Sequence, residues 1–202
     1  MARKPLGTVI LFARLPRLGR GKRRLAREIG DIAAWRFARA SLARSVATVA
    51  REEGWRAMAA LDPPTAAARP GPVFTTGRGR RLGRRPQAGR DLGRRMLAGL
   101  RSAPPGPVVL IGADIPDVTS AALRRALVAC RAADLVFGPA TDGGFWLVGC
   151  RRKPSLRLFD GVGWSTSRTL AEAMAAAPRA WRIRLVDRLA DVDKAADMRS
   201  GS

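Results

Sequence analysis

The sequence Pro107-Val-Val-Leu-Ile-Gly-Ala-Asp-Ile-Pro-Asp-Val-Thr119 decides which fold the chain is expected to adopt. Its apolar run is short, rich in β-branched residues and closed by Gly and Pro, which is typical of a buried parallel strand. Asp114 and Asp117 then follow at the carboxyl end of that strand, where open α/β sheets bind their ligands. Paired carboxylates there suit a hard cation such as Mg²⁺ or Mn²⁺ that bridges phosphate groups. We therefore expect Asp114 to bind a metal ion, whereas Asp117 is either a ligand or the cap of a helix that starts near Ser120.

Predicted strands and helices alternate along the chain. Apolar runs predict strands over residues 8–13, 55–61, 73–76, 108–111, 134–138, 145–148 and 182–186. Composition and helical spacing predict helices over residues 25–53, 91–100, 121–132 and 168–177 and a short one after residue 193, with a glycine- and arginine-rich loop over 77–90. This order predicts an α/β fold of three layers, α/β/α, with a mainly parallel sheet, in a single domain over residues 1–202.

The first predicted helix carries an apolar stripe. Ile29, Ala33, Phe37 and Ala40 recur at helical spacing and are continued by residues 43–46. We expect this stripe to face the core. The glycine that follows Ile29 is a candidate break in the helix.

The first predicted strand runs into a basic loop that contains two glycines, Arg14-Leu-Pro-Arg-Leu-Gly-Arg-Gly-Lys-Arg-Arg-Leu25. A strand, such a loop and a helix together can hold phosphate groups, because backbone N–H groups face the anion and Lys or Arg side chains add positive charge. The loop is not a Walker A motif, since Lys22 is followed by Arg23 rather than Ser or Thr. A solvated charged turn is the alternative, and the position directly after the first strand favours the phosphate site.

A further acidic position follows the predicted strand over 134–138. Asp142 precedes Gly143 and Gly144, which permit close backbone approach, so Asp142 is a candidate catalytic residue beside a sugar or base pocket. Asp-Gly also occurs in ordinary hairpin turns, and both explanations stay open. Asp91 is likewise either a helix cap or a ligand contact.

Composition argues against several kinds of partner and site. The formal charge of +22 raises the possibility of a polyanionic partner, but it comes almost wholly from Arg spread over every segment, and no helix-turn-helix or zinc-finger spacing occurs. A compositional bias is therefore favoured over a nucleic-acid partner. The N-terminal apolar run ends at Arg14, which is too short for a signal sequence or a membrane span, so we expect a cytoplasmic protein with no membrane partner.

The absence of His excludes Ser-His-Asp and Cys-His catalysis and any His-bound metal. Cys130 and Cys150 are too few and too far apart in sequence for a metal knuckle or a disulfide framework. Any metal ion must then be bound by carboxylate oxygens.

Six sequence blocks occur in an order typical of one protein family. They are Phe12-Ala-Arg-Leu-Pro-Arg-Leu-Gly-Arg-Gly-Lys-Arg-Arg-Leu25, Gln87-Ala-Gly-Arg-Asp-Leu-Gly-Arg-Arg-Met96, Leu110-Ile-Gly-Ala-Asp-Ile-Pro-Asp117, Gly138-Pro-Ala-Thr-Asp-Gly-Gly-Phe145, Phe159 with Gly163-Trp-Ser-Thr166, and Asp191-Val-Asp193. On these blocks the chain, from about Val9 to Met198, resembles bacterial GT-A-type nucleotide-diphospho-sugar transferase-like proteins, the radical-SAM/selenodomain-associated or arsenosugar-type glycosyltransferases. It is more distantly similar to molybdenum-cofactor and phospholactate nucleotidyltransferases.

The resemblance implies roles for individual residues. It implies that Asp114 binds the metal, with Asp191 or Asp193 as a second ligand, and that Arg14 and Lys22 face phosphates. The expected nucleotide-binding residues are Phe12, Ala13, Arg14, Gly19, Lys22, Arg24, Gln87, Gly89 and Asp91. The expected substrate-binding residues are Asp117, Gly143, Gly144, Trp164 and Ser165, and the expected catalytic residues are Asp114, Asp142 and Lys22. The sequence departs from the family pattern at Arg23, where the family has Thr, and at Lys194, which stands beside two acids and could compete with a cation.

These features predict a glycosyltransferase that uses Mg²⁺ or Mn²⁺, a nucleotide-sugar donor and a small-molecule acceptor. Asp142 or Asp117 would orient the sugar or take the acceptor proton. One alternative is nucleotidyl transfer, in which an acceptor phosphate attacks the α-phosphorus of a nucleoside triphosphate. The other, from a different class, is a basic nucleic-acid-binding protein without catalysis.

Overall fold

The computed structural model describes residues 4–51, 53–68 and 82–190. The strands are β1 (Thr8–Arg14), β2 (Arg56–Asp62), β3 (Gly83–Pro86), β4 (Val108–Gly112), β5 (Leu135–Pro139), β6 (Phe145–Cys150) and β7 (Ile183–Leu185). The helices are α1 (Arg23–Ile29), α2 (Asp31–Arg51), α3 (Thr65–Ala68), α4 (Leu92–Ser102), α5 (Ser120–Ala132) and α6 (Thr169–Ala175). The strand predicted over 73–76 and the helix predicted after residue 193 lie outside the described residues. None of the helices described here is long and apolar enough to cross a bilayer.

The strands form one sheet in the order β3-β2-β1-β4-β6-β5-β7. β6 runs antiparallel to its neighbours β4 and β5, and every other pair is parallel. β1 and β4 lie side by side near the middle, where helices cover both faces, so their apolar runs are continuous rather than alternating. The predicted α/β fold with a mainly parallel sheet is confirmed.

Helices cover the two faces of the sheet and form separate cores. α2 and α5 pack on one face, and α4 and α6 pack on the other. The first core includes Val9, Leu11, Leu42, Val46, Leu123 and Leu127, and the second includes Ile10, Leu97, Leu100, Leu110 and Ala173. Alternate residues of β1 therefore contribute to both cores, as the two-residue period of a strand requires.

The carboxyl ends of the parallel strands meet at one edge of the sheet. Arg14 at the end of β1 pairs with Asp62 at the end of β2, and Phe12 pairs with Gly112 at the end of β4. Because β6 is antiparallel to β4, the turn from β5 to β6 reaches the same edge. The fold therefore places Asp142 at the edge where Asp114 leaves β4.

The loop predicted over 77–90 is wrong for residues 83–86, and residues 77–81 lie outside the described residues. Residues 83–86 form β3, which pairs in parallel with β2 at the edge of the sheet. Its sequence, Gly83-Arg-Arg-Pro86, has no apolar pattern, because an exposed edge strand buries little side-chain area. Its pairing comes from backbone hydrogen bonds with β2, which leave no signal in the sequence.

The apolar stripe predicted for the first helix faces the core only at its end, where Val46 is buried. Gly30 separates α1 from α2 with a φ of 84°, and the earlier part of the stripe lines a surface groove instead, namely Ile29, Ala33, Phe37 and Ala40. The buried residues of α2 are Ala34, Ser41, Leu42, Ser45, Val46, Val49 and Ala50, and Ile32 is exposed. Much of the buried face consists of small and polar side chains, so a pattern of hydrophobic residues does not predict which face of α2 is buried.

The structure shows which residues cap α5 and α6. Thr119, rather than Asp117, caps α5, and its side chain accepts a hydrogen bond from the backbone N–H of Ala122 at 3.1 Å. The N-cap of α6 is Arg168, which makes no side-chain cap bond, although the Thr166 hydroxyl accepts from the Arg168 N–H.

The two cysteine thiols are buried in the folded chain. Burial raises the pKa of the Cys130 thiol to about 12. The pKa of the Cys150 thiol is raised as well, mainly by burial and to a smaller extent by the nearby Cys130. Alkylation requires the exposed thiolate. We expect iodoacetamide at mildly alkaline pH to leave both residues unlabelled in the native protein and to label both in concentrated guanidinium, as measured by intact mass. Rapid labelling of the native protein would contradict this placement.

Candidate functional site

A cleft opens at the edge of the sheet where β1 and β4 end. Its volume is about 380 Å³. It brings together predicted residues from three sequence blocks, namely Phe12, Arg14, Gly19, Lys22, Gln87 and Asp114. Its described lining carries more positive than negative charge, with the cations Arg14, Arg17, Arg20, Lys22 and Arg95 and the carboxylates Asp31 and Asp114. A cleft with this charge attracts an anion.

The basic loop after β1 folds over this cleft. Gly19 and Gly21 have φ values of 71° and 82°, and Lys22 follows at 43°, so three residues of this turn are in the left-handed region. Glycine adopts that region freely, whereas Lys22 does so at a cost. Lys22 is also the N-cap of α1, and the turn directs its side chain inward, where only 9% remains exposed.

Lys22 and Asp114 meet across the cleft. The Lys22 ammonium nitrogen Nζ lies 3.2 Å from Asp114 Oδ2, and the Asp114 side chain is 56% exposed. The strand end that carries Asp114 is tied to α2, because the Ser45 hydroxyl donates to the carbonyl oxygen of Ala113 at 3.3 Å. The loop cation and the strand-end carboxylate singled out in the sequence are therefore direct neighbours.

A second ion-pair group, missed by the sequence analysis, lies at the end of β2. Arg14 donates from Nε to Asp62 Oδ2 at 2.8 Å, and Arg95 Nη1 lies 3.6 Å from the same oxygen. Both arginines line the cleft. The sequence does contain a pattern that indicates this position, because Asp62 follows an apolar strand as Asp114 does. The two prolines after Asp62, however, indicate only a turn.

Gln87 is held rigidly beside β1 and β2. Its Nε2 donates to the carbonyl oxygens of Ala13 and Ala60, each at 3.1 Å, and its backbone N–H donates to Leu61. Both side-chain N–H groups are thereby used, so Oε1 is left as an acceptor on a residue that lines the cleft. Trp35 and Leu92 supply apolar lining nearby. The arrangement suits a flat ring that carries a hydrogen-bond donor.

A smaller cavity of about 150 Å³ adjoins the cleft. Leu92 lines both, and Ile115 of the smaller cavity directly follows Asp114. The predicted residues Asp142, Gly144, Trp164 and Ser165 line it, together with Leu92, Met96, Ile115, Ala140, Phe145, Thr166 and Thr169.

The remaining predicted residues have other positions. Asp91 caps α4 by accepting from the Arg94 N–H at 2.8 Å. Gly89 accepts at its carbonyl oxygen from Arg95 Nε at 3.2 Å, Ala13 accepts from Gln87, and Gly143 accepts from the Leu170 N–H at 3.0 Å. Asp117 and Arg24 are not among the described residues that line the cleft or the smaller cavity, and their ligand contacts stay predictions. Asp191 and Asp193 lie outside the described residues.

Within the described ranges, no three His, Cys, Asp or Glu side chains cluster closely enough to form a metal site. Asp31 and Asp114 are the carboxylates in the described lining of the cleft, and Asp114 is the one that contacts Lys22. Mg²⁺ characteristically binds one or two carboxylates together with substrate phosphates and water. Asp114 can supply the carboxylate that the protein contributes to such a site.

A family model described as "Uncharacterized protein conserved in bacteria (DUF2064)" matches residues 45–166. The chain belongs to this family. No curated protein matches this DUF2064 chain. Membership in the narrower radical-SAM-associated group stays a prediction.

Solved structures share the fold of this DUF2064 chain. A protein from Desulfovibrio desulfuricans G20, classed by inference as a nucleotide-diphospho-sugar transferase, is 25% identical with a TM-score of 0.74 over 95% of this chain and 84% of that chain. CMP:2-keto-3-deoxy-manno-octonic acid synthetase complexed with CTP is 13% identical with a TM-score of 0.58 over 96% and 95% of the two chains. Rv0371c from Mycobacterium tuberculosis H37Rv, in complex with manganese, is 17% identical with a TM-score of 0.50 over 96% and 95%. The predicted nucleotide-diphospho-sugar transferase fold is confirmed.

Proposed function

We propose that this chain is a metal-dependent glycosyltransferase that uses a nucleotide-activated sugar as donor and a small molecule as acceptor. The observation that carries the proposal is the cationic cleft in which Lys22 Nζ and Asp114 Oδ2 lie 3.2 Å apart. The fold shared with the Desulfovibrio protein supports it. We also propose that residues 1–202 form a single domain.

The cations of the cleft would hold the diphosphate. When the bond from the sugar to the diphosphate breaks, negative charge develops on the departing phosphate oxygens. Lys22, Arg14 and Arg95 would stabilise that charge. Asp62 binds Arg14 and approaches Arg95, so it would fix both guanidinium groups before the ligand arrives.

Asp114 would hold the metal ion. A bound Mg²⁺ or Mn²⁺ would neutralise phosphate charge as a Lewis acid. The manganese complex of Rv0371c supports this choice of cation. A second ligand from Asp191 or Asp193 stays a prediction.

Gln87 would read the base. Its fixed Oε1 can accept a hydrogen bond from a ring N–H or an exocyclic amino group. A nucleobase in this position would lie near Trp35 and Leu92, which also line the cleft.

Transfer would occur near Leu92, which lines both the cleft and the smaller cavity. An acceptor hydroxyl forms a new bond to the anomeric carbon, the bond from that carbon to the phosphate oxygen breaks, and a nucleoside diphosphate leaves with the electron pair. Asp142 is the proposed group that takes the hydroxyl proton or orients the sugar.

Nucleotidyl transfer is the second candidate. The cations of the same cleft also suit a triphosphate, and the CTP complex of the octonic acid synthetase supports this alternative. Release of pyrophosphate from a nucleoside triphosphate and a sugar phosphate would favour it over glycosyl transfer.

The test is a screen of nucleoside diphosphates, triphosphates and nucleotide sugars by thermal shift, with and without Mn²⁺. At a hundredfold excess over Kd, a ligand stabilises the native state by about 2.7 kcal/mol, which raises Tm by roughly 5–10 °C in a chain of this size. Lys22→Met should weaken binding of the best ligand roughly tenfold, because it removes a charged contact to phosphate.

Lys153→Met is the matched control, since Lys153 is exposed and lines neither of the two cavities. A screen in which no nucleotide shifts Tm would refute the proposal. Salt-sensitive binding of single-stranded RNA that survives Asp114→Ala would instead support the nucleic-acid alternative.

A further inference from the structure

The smaller cavity has room for a single ring. Its volume of about 150 Å³ is roughly that of five water molecules in the liquid. It lies directly beyond Asp114, because Ile115 lines it, and Leu92 forms part of the boundary with the cleft. A group attached to the far end of a diphosphate in the cleft would therefore enter this cavity.

The electrostatic character of this cavity differs from that of the cleft. Among its described lining residues Asp142 is the one charged group, whereas the cleft carries several cations. Asp142 Oδ1 accepts from the Gly144 N–H at 2.8 Å, which fixes the carboxylate in the turn between β5 and β6. An anionic substituent in this cavity would meet the exposed carboxylate of Asp142 and find no cation in the described lining, so like-charge repulsion disfavours it.

One wall of the cavity is a fixed aromatic surface. The Trp164 ring is packed edge-on against Phe145 and Phe159, with centroid distances of 6.3 and 5.6 Å. Gly93 of α4 makes room for it, because a Cβ there would lie 2.8 Å from the indole. An aromatic ring held in this way can receive the apolar face of a sugar while polar groups bind its hydroxyls.

A polar group completes the cavity. Ser165 has a φ of 62°, an uncommon backbone conformation for a residue with a side chain. Such conformations concentrate at ligand sites. The Ser165 hydroxyl and the Asp142 carboxylate together offer a donor and acceptors to sugar hydroxyls.

We infer that the smaller cavity binds an uncharged, hydroxylated ring, the sugar of the donor, and discriminates against sugars that carry a carboxylate or a phosphate. The inference rests on the proposed function, because it requires the nucleotide to lie in the cleft. It narrows the donor to nucleotide-activated neutral monosaccharides. Asp142 and Trp164 are the residues that impose the selection.

The experiment is isothermal titration in Mn²⁺ with two matched series, UDP, UDP-glucose and UDP-glucuronate, and GDP, GDP-mannose and GDP-mannuronate. In the series that binds, we expect the neutral sugar nucleotide to bind about fivefold more tightly than the uronate, because solvent reduces the repulsion between a uronate and the exposed Asp142 carboxylate. Asp142→Asn should reduce that ratio to about twofold or less by tightening uronate binding, because the repulsive charge is gone. Trp164→Ala should weaken the neutral sugar nucleotide to the level of the bare diphosphate.

Glu53→Gln is the matched control, because Glu53 is an exposed carboxylate that lines neither cavity. Equal or tighter binding of the uronate would overturn the inference, and so would an equal effect of Glu53→Gln and Asp142→Asn. If bare diphosphates bind but the sugar makes no difference, this inference fails and the proposed nucleotide site stands. If neither series binds and the wider nucleotide screen is also negative, the proposed function fails and the inference fails with it.

Discussion

Asp114→Asn is expected to weaken nucleotide binding in Mn²⁺ by about 100-fold or more. Removal of an outer-shell partner of a metal typically costs about 10- to 100-fold, and Asp114 is proposed to bind the ion directly. The substitution keeps the shape of the side chain and removes the charge that would bind the cation. In EDTA the affinity should stay within about fivefold of wild type, because there the carboxylate only forms a part-exposed ion pair with Lys22. Titration calorimetry with and without metal measures both quantities.

Glu53→Gln serves as the control for that experiment. It removes an exposed carboxylate that lies outside both cavity linings, so binding in Mn²⁺ should match wild type. If Asp114→Asn keeps the full effect of Mn²⁺, Asp114 is not the metal ligand, and the mechanism proposed for the cleft is wrong.

Gly143→Ala is expected to destabilise the fold by about 3 kcal/mol or more, and so to lower Tm by roughly 6–12 °C. Gly143 has a φ of 87°, and a Cβ on it would overlap the backbone carbonyl of Ser167. Its own carbonyl oxygen accepts from the Leu170 N–H at 3.0 Å, so the overlap would separate the turn from α6. Binding in the smaller cavity should weaken as well, because the same turn carries Asp142. Thermal and urea denaturation measure the loss.

Gly161→Ala separates the effect of overlap from that of backbone conformation. Gly161 has a similar φ of 77°, but a Cβ there meets open space. Its cost should be about 1 kcal/mol, from the left-handed backbone alone. Equal Tm values for the two variants would show that the contact with Ser167 contributes nothing to stability.

The parts of the fold that the sequence could predict are those where a local pattern reflects burial. β1 and β4 are covered on both faces, so they appear as uninterrupted apolar runs, and the polar residues that follow them mark the sheet edge. That is sufficient to bring Lys22 and Asp114 into one site before any coordinates are known.

The parts that the sequence could not predict depend on neighbours distant along the chain. β3 exists because β2 offers it backbone partners, and the buried face of α2 includes Ser41 and Ser45, which no hydrophobic pattern marks. Asp62 positions arginines that come from two other elements, so its role appears only when β1, β2 and α4 are assembled.

The salt bridge between Lys22 and Asp114 has a consequence for the order in which ligands load in the proposed reaction. A free divalent ion would have to compete with the Lys22 ammonium group for Asp114, and it would gain little by displacing that group. With an ion already bound to a nucleotide, Lys22 could pair with the phosphate oxygens while Asp114 holds the ion. The ion and the nucleotide should therefore enter together, and the resting protein should discriminate against bare metal.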